Sequence, residues 1–452
     1  GQTEGSNVAV GASLGLTVAV DTVTATTGRD IAAGTGDVSF TAKSAASSAT
    51  KATASVAGGK EADENGEAEA GQDVNAQVAN QRSFAAGQSS EAGDATSDAE
   101  TPTADTDDSG GSVSVAAAIG VNVGVSNTTA YIPEERRVSS TGGALNLTTV
   151  ATTDASAVAE GKQVDSTGGT AVGVGAAVAL NVGVANTTAY IGDDADIDTV
   201  GVNLSARTTA EGEEEAINAF KAEAVSGAGA SSVGLAGSLA LNVTANKSEA
   251  YIAGDRTGTA EDGNTTTASI NAGNGALTLD AQNKSTSTVN AGADVKPGEG
   301  QDPAQVGVGA SIGLNVGVNQ TRAEVEDEVA LSGIGSASLT AASDHTMTTD
   351  ATGGAAGGVA VTPLAALSIS VNETRAQLGS GSEVAIGEGL TAEAEQKSSV
   401  TTSATGQTEG SNVAVGASLG LTVAVDTVTA TTGRDIAAGT GDVSFTAKSA
   451  AS

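Results

Sequence analysis

The single imidazole of this 452-residue chain, His345, lies two residues from its single methionine, Met347, in a Thr-rich stretch. Acid–base chemistry needs such a group held beside a reacting partner. Here basic residues are sparse and scattered, so no catalytic residue is expected and His345 is read as a surface side chain. Four carboxylates, Asp193, Asp194, Asp196 and Asp198, fall within six residues of one turn. Hard oxygen donors on a loop suit Ca²⁺, the one cofactor this chain invites. The spacing lacks the EF-hand glycine and distal glutamate, so a solvated acidic turn stands as the competing reading. Asn-x-Ser/Thr triplets at Asn127, Asn186, Asn246, Asn319 and Asn372 are candidate glycosylation acceptors. The same triplet makes a good polar turn.

Composition restricts what could position such groups. Aromatic residues make up 2% of the chain, Trp is absent and Gly numbers 61. Burial must come from Ala, Val, Leu and Ile, so layers must be thin and closely apposed. With 54 acidic against 19 basic residues the formal net charge is −35. Neutralising phosphates requires clustered Lys and Arg, so nucleic acid is excluded as a partner. An anionic membrane surface is disfavoured for the same reason. No apolar run is long enough for a membrane-spanning helix, so no membrane insertion is expected. No Cys is present, which removes disulfides and thiolate metal sites.

Repetition organises the chain. Residues 1–47 recur without change as residues 406–452, an offset of 405. Solvent faces drift freely, so identity over 47 residues means recent duplication of a whole unit. The chain reads as one period and the start of the next, from a protein with many copies. Inside the period lies an older repeat. Aligned on Ala25, Ala130, Ala189, Ala250, Ala323, Ala376 and Ala430, its intervals are 105, 59, 61, 73, 53 and 54 residues. Each unit has a long alternating run, such as VSVAAAIGVNVGVSNTTAYI from Val113, and then a short motif such as GALNLTT at Gly143. The parsing is 1–57 for module 1, 58–111 for an acidic low-complexity insertion, 112–170 for module 2 and 171–230 for module 3. Module 4 spans 231–303 with an insertion at 255–269, module 5 spans 304–356, module 6 spans 357–405, and 406–452 opens the next period. The 58–111 insertion reads as a dispensable disordered loop.

Alternation of aliphatic residues with Gly, Ser and Asn, as in Val306 to Val318, is the period-two signature of a strand. Gly on the alternate face lets another sheet approach closely. The Asn-x-Thr-x-Ala stretch shifts the parity of the apolar positions, which predicts a bulge or corner there. Repeats that cannot bury their own face must stack on their neighbours. The expected fold is therefore all-β, a parallel β-helix-like solenoid; stacked long antiparallel hairpins are the alternative. Tyr131, Tyr190 and Tyr251 occupy one position in three successive units, as Asn122, Asn181, Asn242 and Asn315 occupy another. Such columns become ladders if strands stack in register. One broad coil per unit would put like residues about 4.8 Å apart. Three smaller rungs would triple that spacing. The Tyr column faces outward if Ala130 and Ile132 face inward.

The pattern V-G-V-G-A-x-V-x-L-N-V-x-x-N-T-T-A-Y-I-G followed by V-x-L-x-A resembles the repeats of very large bacterial exoproteins. These are the filamentous-haemagglutinin-type and leukotoxin-type filamentous adhesins. Its clearest carriers are 171–192 with 200–206 and 113–132 with 143–149, and it covers nearly the whole chain outside the acidic insertion. The resemblance implies a β-helical, secreted or cell-surface protein that builds filaments or adheres, and it transfers no catalytic residue. Two functions follow as expectations. One is the structural repeat region of an extracellular filament or stalk, partnered by its own copies end to end or laterally. The other is an adhesin whose repeats hold a cell or its surface glycans. Ends cut through such a stack should expose strand edges and associate.

Overall fold

The computed structural model describes residues 2–4, 8–57, 112–164, 170–209, 216–254, 267–296 and 304–452. The acidic insertion lies outside them, as does most of the 255–269 insertion. In chain order, β1 (Gln2–Glu4) precedes a first coil of β2 (Val8–Thr26), β3 (Ile31–Ala32) and β4 (Val38–Ala57). The second coil is β5 (Ser112–Ile132), β6 (Arg137–Ser139) and β7 (Leu145–Val164). The third is β8 (Thr170–Ile191) and β9 (Asp196–Asp198), closed by a divided strand, β10 (Val202–Arg207) and β11 (Asn218–Ala228). The fourth is β12 (Val233–Ile252), β13 (Ser269–Asn271) and β14 (Ala276–Val295). The fifth opens with β15 (Val306–Val325) and β16 (Ala330–Ser332). Then β17 (Ser336–Leu378) closes the fifth coil and opens the sixth without a break. The sixth continues through β18 (Val384–Ile386) into β19 (Leu390–Thr432), which opens the seventh, ended by β20 (Ile436–Ala438) and β21 (Val443–Ala451).

Each coil is thus long strand, short strand, long strand, and every pairing between coils is parallel. Parallel pairing throughout removes the antiparallel-hairpin alternative. One unit is one broad coil: Val233 pairs Val306, Asn242 pairs Asn315 and Ala250 pairs Ala323, with no offset along the strand. The three-rung reading is therefore set aside. The opening strands form one layer and the closing strands a second, joined where β17 and β19 pass from one to the other. The short strands seal the broad end, five as a small sheet ordered β16-β13-β9-β6-β3 and β18 with β20 as a separate pair.

Two kinds of core follow from the wedge-shaped section. At the broad end, where the short strands hold the layers apart, large side chains fill the space: Ile132, Leu145, Leu147, Ile191, Ile197, Leu204, Ile252, Ile270 and Leu279. Further along, the layers close onto each other and only small residues fit: Ala118, Ala157, Ala159, Ala177, Ala179, Ala222 and Ala224. A Cβ on Gly120 would stand 2.7 Å from the carbonyl oxygen of Val158 in the facing layer, and one on Gly161 would collide with the Ala176 carbonyl. Glycine is required by this close approach, not by its dihedral freedom. Where a large side chain does enter, a glycine faces it: Phe220 lies against Gly183, and Met347 against Gly317.

This geometry corrects the bulge expected at Asn-x-Thr. In β15 the strand runs unbroken to Val325, with Val318 outward and Asn319, Thr321, Ala323 and Val325 inward. The parity of the backbone does not change. The apolar residues cross from the outer to the inner face, because the interior widens there and needs volume. The register shifts lie instead where the chain enters the first layer, between Ser112 and Val113 and between Gly357 and Val359.

Candidate functional site

Inward and outward columns carry the polar chemistry. Asn122, Asn181, Asn242 and Asn315 are fully buried between the layers. The Asn122 amide donates to Asn181 Oδ1 and the Asn181 amide to Asn242 Oδ1, both at 2.8 Å, and the Asn242 amide reaches Ser287 Oγ at 2.7 Å. An amide carries a donor and an acceptor on opposite sides, so it satisfies its neighbours above and below in a parallel stack. A second ladder runs from Asn246 to Asn319, to Asn372 and on to Asp426 Oδ1, each step 2.7 Å. These asparagines are buried and their amides engaged, so a glycan at Asn246, Asn319 or Asn372 would have to break the ladder. Asn127 and Asn186 lie instead on the outer face, part-buried, and the Asn186 amide donates to Asn127 Oδ1 at 2.8 Å.

On the outer face the Tyr131, Tyr190 and Tyr251 rings stack at centroid distances of 4.8 and 5.2 Å, each pair 5° from parallel. The Arg322 guanidinium closes the stack, 4.4 Å from the centre of the Tyr251 ring. Burial, then Glu249, pushes the Tyr251 hydroxyl up to about 12. Burial alone would lower the Arg322 pKa, but Glu249, Glu324 and Glu326 outweigh it and hold it raised. A cation over the ring face, itself held by carboxylates, ends the aromatic column in charge. Sequence reading missed this terminus, although Arg322 stands one position from Ala323 in the alignment.

His345 is not at the surface. It is buried between the layers, Nδ1 within 2.8 Å of Ser285 Oγ and Nε2 without a partner. Burial pulls its pKa down to about 3. Asp193, Asp194, Asp196 and Asp198 do not converge: among the described residues no three His, Asp or Glu side chains gather as a metal-holding group. Asp196 faces Arg137 at 3.5 Å, and Asp198 accepts from the Asn271 amide at 3.0 Å. Asp194 takes a positive φ of 56°, as Glu135 and Glu328 do at equivalent corners with 57° and 61°. The acidic run is in part a corner, because Asp and Asn tolerate the left-handed conformation better than most side chains.

The seam between periods has chemistry of its own. Residues 406–452 repeat 1–47, and they sit on the sixth coil in the same register as any other coil, Val359 pairing Val413 and Ala376 pairing Ala430. Two residues of the period-opening coil bind across this seam. Asp426, the duplicate of Asp21, ends the second asparagine ladder. Arg434, the duplicate of Arg29, is buried and donates to the carbonyl oxygens of Gly379, Ser380 and Val329 at 2.7, 2.8 and 2.8 Å. One guanidinium thereby ties the corners of the two preceding coils, its fork matching three carbonyls. Arg29, with no coil before it in the structure, is exposed.

No protein-family pattern, no curated protein and no solved structure matches this chain.

Proposed function

We infer that the chain is the structural repeat region of a giant secreted or cell-surface filament, built by stacking 405-residue periods on one solenoid axis. The observation that carries this reading is the seam. The duplicated segment 406–452 adds a seventh coil in unbroken register, with Asp426 and Arg434 bonded to the coils beneath. The free edge of β2 is the same strand as the one seated on β17, so it can receive the sixth coil of a preceding period in the same way. The resemblance to filamentous exoproteins supports the same role, and so does enclosure of the one imidazole between the layers, away from any substrate. Six coils at about 4.8 Å give a rise of about 29 Å per period. Chains of one, two and four periods, imaged by electron microscopy, should lengthen by that increment at constant width. Separate beads, one per period, would refute the reading.

A further inference from the structure

The outer face of the first layer is apolar. Counted from the register column of Val306, the first seven outward positions of every opening strand hold only Val, Leu, Ile, Ala, Gly or Pro. In the fifth coil they are Val306, Val308, Ala310, Ile312, Leu314, Val316 and Val318. Register carries this set through all seven coils without a single polar substitution, from Val8–Val20 to Val413–Val425. These side chains are accessible within the stack: Leu239 is 39% exposed, Val318 49% and Ile312 52%. The outer face of the second layer is opposite in character, with Asp280, Gln282, Lys284, Thr286 and Thr288 in β14 and Asp344, Thr346, Thr348 and Asp350 in β17. A chain of net charge −35 thus keeps one broad face free of charge.

The face is also large. Thirteen residues of strand at about 3.3 Å span about 43 Å, and six coils rise about 29 Å, so one period presents about 1,200 Å². Apolar patches on soluble monomers run to roughly 300–600 Å². A standard protein interface needs roughly 800 Å² per partner. Two features say what covers it. The face crosses the seam without interruption, so in an array it is a strip as long as the filament, and its partner must be equally long. Its columns repeat at the strand spacing, so a surface of the same period can interdigitate along the whole length. Past the seventh column the uncharged strip ends in a mixed margin, with Glu249, Glu324 and Glu373 beside Lys247, Arg322, Arg375 and the Tyr131–Tyr190–Tyr251 stack. We propose that this face packs against the same face of a second copy of the chain, so that two solenoids form a four-layer filament with both apolar strips buried and both polar faces outward.

This rests on the stacked-solenoid reading, and the test separates the two. Mass per unit length, measured by dark-field electron microscopy of the full chain, reports pairing; particle length reports stacking. The expected value is twice that of one solenoid. Leu239→Lys with Ile312→Lys, at the centre of the strip, should halve it while circular dichroism keeps its β signal. Thr288→Lys with Thr348→Lys, on the polar face, should leave it doubled. A single-solenoid value for the unaltered chain, at any length, would overturn the pairing. Flotation of such single particles with neutral phosphatidylcholine vesicles would overturn it in favour of a lipid surface. Short particles of doubled mass per length would uphold pairing and count against stacking.

Discussion

His345 is neutral in the folded chain down to about pH 3, whereas a free imidazole takes a proton near 6.5. Its folded pKa is depressed, so the stability tied to it is whole above pH 6.5 and declines as pH falls towards 3. The slope is about 1.4 kcal/mol per pH unit. His345→Asn should remove that component, seen as a shallower fall in the urea midpoint between pH 6.5 and 4 than the parent shows. The Asn181 amide binds neighbours on both sides. Asn181→Ala would strand the donor of Asn122 and the acceptor of Asn242, at a cost of about 2–4 kcal/mol. The burial of His345 and of the sequon residue Asn246 was legible by parity. His345 shares it with the buried Leu339 and Ala341, and Asn246 shares it with the buried Ala250 and Ile252. A composition argument, polar therefore outside, hid what counting along the strand reveals.

At the scale of the strand, which face is buried depends on what stands opposite, and alternation alone leaves that open. Val306 to Val318 has the pattern of a core strand, and the parallel stack and its repeat were readable from it. The structure turns those valines outward and packs Gly307, Gly309, Ser311, Gly313 and Asn315 inward, because the second layer lies too close for branched side chains. The glycines carried the deciding signal: a face this small admits a backbone and little else. Paired substitutions test the assignment. Gly161→Ala would drive its methyl into the Ala176 carbonyl and should cost about 1–3 kcal/mol. A Cβ on Gly237, on the outer face, meets nothing within 4 Å. Gly237→Ala should therefore stabilise by about 0.5–1 kcal/mol. Thermal unfolding of the two variants reads the difference directly.

For the whole molecule, stability in a stack is nearest-neighbour, and each coil depends on the ones it touches. Arg434→Ala would remove the guanidinium bonds to the carbonyls of Gly379, Ser380 and Val329, of which Ser380 alone keeps another donor, the Glu328 N–H, among the described residues. Hydrogen exchange should then speed up in β20 and in the part of β19 beyond Gly406, and stay unchanged in β12 and β15. Arg29→Ala, the same substitution at the exposed end, should alter neither region. The seam has a further consequence, for inheritance. Because a period ends on the same strand edge that it begins on, recombination that adds or removes a whole 405-residue unit leaves every surviving coil with an unchanged neighbour. Gene copies of very different length would then encode equally sound proteins. Loss of part of a unit would not be so forgiving, since it would set Arg434 or Asp426 against corners and ladders they do not fit. Selection can therefore tune the length of such a molecule in steps of one period while leaving its fold untouched.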